Sequence, residues 1–195
     1  MRIGLYGGSF DPVHWGHLLV AHAALEELSL DRLIFLPASQ SPFKPGTTPA
    51  PGSVRSRMLR NALAGEPRFA VDESELRRGG ISYTIDTVLA LAAEQPAAEW
   101  FWLIGADHVP TLPKWRSADR LANLVTFVVI PRPGQPDTSL PPPWSLLHLA
   151  GWPLKLSSSE IRQRVASGKS IAHLVPPGVA EIIEGEGCYH RGDTA

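Results

Sequence analysis

The chain has a single cysteine, Cys188, among 195 residues, so neither an intrachain disulfide nor a cysteine-based zinc cluster is available to it. It also lacks an excess of charge: 18 basic against 19 acidic side chains leave a formal net charge of -1. A dedicated nucleic-acid binder normally carries a strongly basic footprint, so none is expected here. Long apolar runs are missing too. A membrane helix needs roughly 18 consecutive apolar residues, and the longest candidate, Leu121 to Ile130, is interrupted by Asn123 and Thr126. The opening Met1-Arg2-Ile3-Gly4 reaches Asp11 and His14 with no signal-peptide core. These gaps predict a folded cytoplasmic protein with no membrane and no nucleic-acid partner. At about 150 residues per domain, the length predicts one domain spanning 1–195.

Proline is plentiful, at 19 residues, and falls in two groups, Pro37 to Pro51 and Pro131 to Pro143. Both predict extended loops, because proline removes a backbone donor and biases its predecessor away from helix. The rest alternates. Arg2–Tyr6, Arg32–Leu36, Arg68–Val71, Glu99–Ile104, Leu124–Ile130 and Leu146–Leu149 read as strands. Helices are expected over 17–29, 53–64, 85–93, 157–167 and 179–184, where apolar residues recur at helical spacing. Strand and helix in alternation mean parallel strands with right-handed crossovers, hence a doubly wound α/β sheet of Rossmann-like form. The C-terminal helices, about 157–187, are expected to lie against that sheet. Ligands of such sheets bind outside the carboxyl ends of the strands.

The loop after the first strand reads Gly7-Gly8-Ser9-Phe10-Asp11-Pro12-Val13-His14-Trp15-Gly16-His17. Its glycines admit a ligand close to the backbone, and a helix start near His17 offers free N–H groups to an anion. It is neither a Walker A loop nor a dinucleotide fingerprint. A zinc pair would need a third ligand, and none is spaced for it. A second string, Ser157-Ser158-Ser159-Glu160-Ile161-Arg162, reads as a capping box made by Ser157 and Glu160. Hydroxyls, N–H groups and Arg162 at one helix start also suit an anion. In Ile81-Ser82-Tyr83-Thr84-Ile85-Asp86-Thr87, Thr84 is the expected N-cap. Arg55, Arg57 and Arg60 are expected on the exposed or ion-paired face of their helix.

Gly7 to His17 resembles the H-x-G-H signature of the nucleotidylyltransferase superfamily. Ser82-Tyr83-Thr84, Gly105-Ala106-Asp107, Leu112-Pro113-Lys114-Trp115 and Ser157–Arg162 are similar to strings of bacterial nicotinate-nucleotide adenylyltransferases, and together they touch most of the chain. The resemblance implies adenylyl transfer from ATP to nicotinate mononucleotide, giving deamido-NAD and pyrophosphate in NAD biosynthesis. Mg²⁺ would be carried by ATP, with no metal site built from the protein. His17, His14 and Lys44 would be catalytic. Gly7, Gly8, Ser9, Phe10, His14, His17, Gly105, Asp107, Ser158 and Arg162 would hold ATP. Ser9, Lys44, Tyr83, Thr84 and Trp115 would hold the mononucleotide, with N–H groups near Tyr83 and Thr84 receiving its carboxylate and the Trp115 indole stacking on its pyridine. The chain departs from the family pattern at Phe43, where histidine is usual, and at Trp15, which replaces a polar residue, with conservative substitutions at Leu156 and Ser159. Nicotinamide mononucleotide or another phosphate acceptor, a non-catalytic nucleotide-binding module, and the oligomeric state, a homo-oligomer included, stay open at this level.

Overall fold

The computed structural model describes residues 1–43, 48–131, 139–152 and 154–190. Strands β1 (Arg2–Gly8), β2 (Arg32–Pro37), β3 (Phe69–Val71), β4 (Glu99–Gly105), β5 (Thr126–Ile130) and β6 (Leu146–His148) form one sheet in the order β3-β2-β1-β4-β5-β6. Every pairing is parallel, as the alternation of elements required.

Both faces are buried, which explains why the strands read as near-continuous apolar runs. Side chains alternate strictly between them. Leu33 and Phe35 of β2, Phe101 and Leu103 of β4 and Val128 of β5 enter one core, while Ile34, Leu36, Trp100, Trp102, Ile104, Phe127 and Val129 enter the other. Helices α1 (Trp15–Glu27), α2 (Gly52–Leu63), α6 (Ser158–Ala166) and α7 (Pro177–Gly185) supply the first core through Leu25, Met58, Ile161 and Val179, among others. Helices α4 (Thr84–Glu94) and α5 (Ala118–Leu124) supply the second through Val88 and Leu121.

Three details differ from expectation. Helix α1 begins at Trp15, so His14 is its N-cap and His17 lies inside the first turn. Tyr83, not Thr84, occupies the cap position of α4, and Thr84 is the first helical residue. A short helix α3 (Ser74–Arg78), a 3₁₀ stretch, Ala106–Lys114, and α5, which takes in Leu124 from the expected start of β5, fill segments where the spacing predicts no helix. The 3₁₀ stretch contains Pro110 and Pro113, which deny it α-helical bonding.

The strand order reverses between β1 and β4. Beyond their carboxyl ends lie the loop from Gly7 to His14 and the Gly105 turn. A doubly wound sheet opens its crevice at that switch point.

Candidate active site

A cleft of about 1180 Å³ opens there, walled by the signature loop, the 105–116 segment, the start of α4 and the start of α6. Gly7 is required by close approach: a Cβ on it would stand 2.8 Å from Trp102 Cζ2. Phe10 takes a left-handed conformation at φ 47, and its ring lies buried beneath the loop. The ring packs edge-on to Tyr6 at 5.4 Å and to His17 at 5.1 Å.

The two motif histidines form one unit. Their rings lie 3.8 Å apart at 30°, and the backbone N–H of His14 donates to His17 Nδ1 at 3.2 Å. With Nδ1 accepting, the neutral His17 ring carries its proton on Nε2, which is then a donor. His14 is almost fully buried, and its Nδ1 has no hydrogen-bond partner among the described residues. Burial takes its pKa from the ordinary 6.5 down to about 4, outweighing its own backbone hydrogen bond and the charge of Glu160, which both pull upward. His14 is therefore neutral at pH 7. Gly16 is fixed by the same ring, because a Cβ on it would meet His14 Cε1 and Nδ1 at 3.0 Å each.

The start of α6 abuts this loop. Its expected capping box is present: Ser157 Oγ accepts from the Glu160 N–H at 3.2 Å, and the Glu160 carboxylate accepts from the Ser157 N–H at 3.0 Å. Ser158 Oγ donates to the Pro12 carbonyl at 2.9 Å, and Arg162 Nη1 donates to the Asp11 carbonyl at 2.8 Å. Two helix N-termini, each the positive end of a helix dipole, thus converge on one loop.

On the other side of the cleft, Tyr83 and Thr84 open α4, Gly105 ends β4, and Asp107 stands exposed at the start of the 3₁₀ stretch. Trp115 is half-buried, with Nε1 donating to Thr111 Oγ1 at 3.2 Å. Phe43 lies against it, ring centroids 5.3 Å apart, and also against His108 at 4.9 Å. The Arg116 guanidinium sits 4.7 Å above the Tyr83 ring. Ser9, Gly7, Gly8, Phe10, His14, His17, Gly105, Asp107, Ser158, Arg162, Tyr83, Thr84 and Trp115 therefore all line one cleft. Lys44 and residues 132–138 of the second proline group lie outside the described residues. Among the described residues, no three His, Cys, Asp or Glu side chains cluster as a metal site, and no helix is long and apolar enough to cross a membrane.

Three site residues escaped sequence reasoning. Arg55 does not lie on an exposed face; it is buried, donating Nη1 to the Ser9 carbonyl at 2.7 Å and Nε to the Ala50 carbonyl at 2.8 Å. Burial pulls its pKa down, and the charge of Asp11 opposes that. Arg57 and Arg60 do pair at the surface, with Glu186 and Glu73. Asp11 Oδ1 accepts from the Tyr189 hydroxyl at 2.7 Å and from the Ala50 N–H at 3.1 Å. Burial, with the adjacent Asp11 charge, pushes the Tyr189 phenol upward, so it keeps its proton and donates. Partners this far apart in the chain leave no local pattern to read. Glu75 is buried in the cleft wall and accepts from Thr87 Oγ1 at 2.7 Å. Burial pushes its pKa up, against hydrogen bonds from Thr87 and Ser82.

Comparison with known proteins gives the lineage. A cytidylyltransferase-like family model matches residues 5–164. A protein of Shouchella clausii named "Probable nicotinate-nucleotide adenylyltransferase" is 46% identical over 189 residues, covering 96% of each chain. One of the same name from Geobacillus kaustophilus is 44% identical over 188 residues, covering 96% of this chain and 86% of the relative. The solved structure of Plasmodium falciparum nicotinic acid mononucleotide adenylyltransferase complexed with NaAD superposes with a TM-score of 0.76 at 17% identity, covering 96% of this chain and 97% of that one, and so shares the fold. With a switch-point cleft built on the H-x-G-H loop and this degree of identity along nearly its whole length, the chain belongs to the nicotinate-nucleotide adenylyltransferases of the cytidylyltransferase-like family.

Proposed function

We propose that this cleft transfers the adenylyl group of ATP to the phosphate of nicotinate mononucleotide, releasing pyrophosphate and forming deamido-NAD. The observation that carries the reading is the convergence of two helix N-termini, paired imidazoles and Arg162 on one loop at the switch point. That constellation suits a triphosphate.

The chemistry asks for little else. An oxygen of the mononucleotide phosphate, already anionic, attacks the α-phosphorus of ATP. A new phosphoanhydride P–O bond forms, and the bond to the bridging oxygen breaks, its electron pair leaving with pyrophosphate. No proton has to be removed from the nucleophile, so no general base is needed. Positioning and neutralisation of charge on the α-phosphate supply the rate. His17, donating through Nε2, takes the α-phosphate, and neutral His14 beside it donates to the triphosphate. Backbone groups of Gly7, Gly8, Ser9 and Phe10, with Ser158 and Arg162, hold the remaining phosphates. Gly105 and Asp107 line the nucleoside side. Lys44 remains assigned by motif to phosphate.

Mg²⁺ bound to ATP would offset charge on the transferring group. Its usual coordination, several waters and substrate phosphates, needs no cage from the protein. For the acceptor, the N–H groups at Tyr83 and Thr84 receive the pyridine carboxylate, and Trp115 stacks on the ring. A carboxylate accepts from both donors, whereas a carboxamide turns a donor of its own toward them. The reading extends to one nucleotidylyltransferase domain over 1–195 working in the cytoplasm, where ATP is abundant. It is tested by pyrophosphate release with ATP plus nicotinate mononucleotide, against nicotinamide mononucleotide at equal concentration. Faster release with the acid is expected. Preference for the amide overturns the acceptor, and no release with either overturns the activity.

A further inference from the structure

The Asp11 carboxylate is buried directly under the signature loop, and three elements distant in sequence meet on it. Oδ1 accepts from Tyr189 in the C-terminal segment and from Ala50 ahead of α2. Oδ2 lies 3.6 Å from Arg162 Nη1, which is too long for a hydrogen bond. Arg162 gives that Nη1 proton instead to the Asp11 carbonyl, at 2.8 Å. The guanidinium is thereby held beside the loop without being drawn into a tight pair with the carboxylate. Tyr189 is itself buried, outside the cleft wall, and takes φ 67, a left-handed conformation rare for a bulky residue. Its hydroxyl can affect substrate only through Asp11.

We propose that Tyr189 is a positioning residue for ATP: by satisfying Asp11 Oδ1, its hydroxyl keeps the carboxylate from capturing Arg162, and so leaves that guanidinium available to the triphosphate. Without the hydroxyl, Oδ1 keeps only the Ala50 N–H among the described residues, and the under-partnered carboxylate closes on Arg162. Arg162 then turns from the phosphates toward Asp11. The C-terminal segment, about 180 positions from the loop in sequence, thereby contributes to ATP affinity without touching ATP. This rests on the assignment of Arg162 to the triphosphate made above.

The test is a double-mutant cycle on the full chain, with ATP and nicotinate mononucleotide affinities measured separately by calorimetry. Tyr189→Phe keeps the ring and loses only the hydroxyl. Roughly 3- to 10-fold weaker ATP binding is expected, the net scale of one ordinary hydrogen bond, with mononucleotide binding within about twofold. In an Arg162→Met background, the same Tyr189→Phe change should leave ATP affinity unaltered. An equal loss in both backgrounds, or no loss in either, overturns the proposal. If Tyr189→Phe does not fold alone, it is made in an Asp11→Asn background, where no carboxylate can capture Arg162; ATP affinity should then match that of Asp11→Asn, and a further loss of roughly 3- to 10-fold overturns the proposal. A wild-type protein that fails to bind ATP removes the underlying assignment and the proposal together. One that binds ATP normally, beside variants that show no coupling, removes the proposal alone.

Discussion

Replacing Gly16 by alanine separates the packing of the signature loop from its chemistry. The added methyl would stand 3.0 Å from two atoms of the His14 ring, so that ring must yield by a few tenths of an ångström. It has little room, being buried on one side and stacked on His17 at 3.8 Å on the other. Overpacking of this kind costs about 1–3 kcal/mol. Exchanging glycine for alanine within a helix returns about 1 kcal/mol. The net destabilisation is then about 0–2 kcal/mol, which for a chain of this length lowers Tm by less than about 8 °C. Activity is the sharper readout. A misplacement of about 1 Å can cost 10²-fold in rate, so a shift of a few tenths should lower kcat for pyrophosphate release about 3- to 10-fold. Gly185→Ala in α7 is the control, since a Cβ there meets nothing within 4 Å; it should leave the rate unchanged and raise Tm by up to about 4 °C through helix propensity alone. Turnover by Gly16→Ala equal to that of the control would refute the idea that His14 placement matters to the reaction.

His17→Ala should lower kcat by roughly 10²–10³-fold, the scale of a lost oxyanion donor. It should cost only about 1 kcal/mol of stability through the lost bond to the His14 N–H, read by comparing turnover with thermal unfolding. Trp115→Ala should raise KM for the mononucleotide about tenfold and leave KM for ATP within twofold, since stacking contributes roughly 1 kcal/mol beyond burial; equal losses would mark a structural residue. The His14 pKa of about 4 gives a pH prediction. Between pH 6.5 and 4 the unfolded imidazole is protonated and the folded one is not, so stability falls as pH drops through that window, by about 3 kcal/mol in all. Denaturant unfolding of His14→Gln should lack that part of the slope, and an unchanged slope would contradict the burial argument.

Much of this was legible in the chain because the signals are local. The alternation that divides β2 and β4 between two cores shows directly as apolar strands bounded by glycine and proline. The capping box of Ser157 and Glu160 spans four residues and forms as read. The cap of α1 was displaced because histidine is not among the usual capping residues, so His14 gave no start signal. Arg55 was assigned to the wrong face for a related reason. A buried guanidinium is rare, and only the Ser9 and Ala50 carbonyls, reached through tertiary packing, make it tolerable. The bond from Tyr189 to Asp11 joins the two ends of the chain, and no periodicity or motif foretells it. The stack of Phe43 on Trp115 likewise depends on a loop that proline-rich composition describes only as extended.

The most direct measurement is a crystal structure of the protein with a non-hydrolysable ATP analogue. The account predicts the α-phosphate within hydrogen-bond distance of His17 Nε2 and the outer phosphates against Arg162 and the first turn of α6. A triphosphate bound elsewhere in the cleft, remote from both imidazoles, would contradict it.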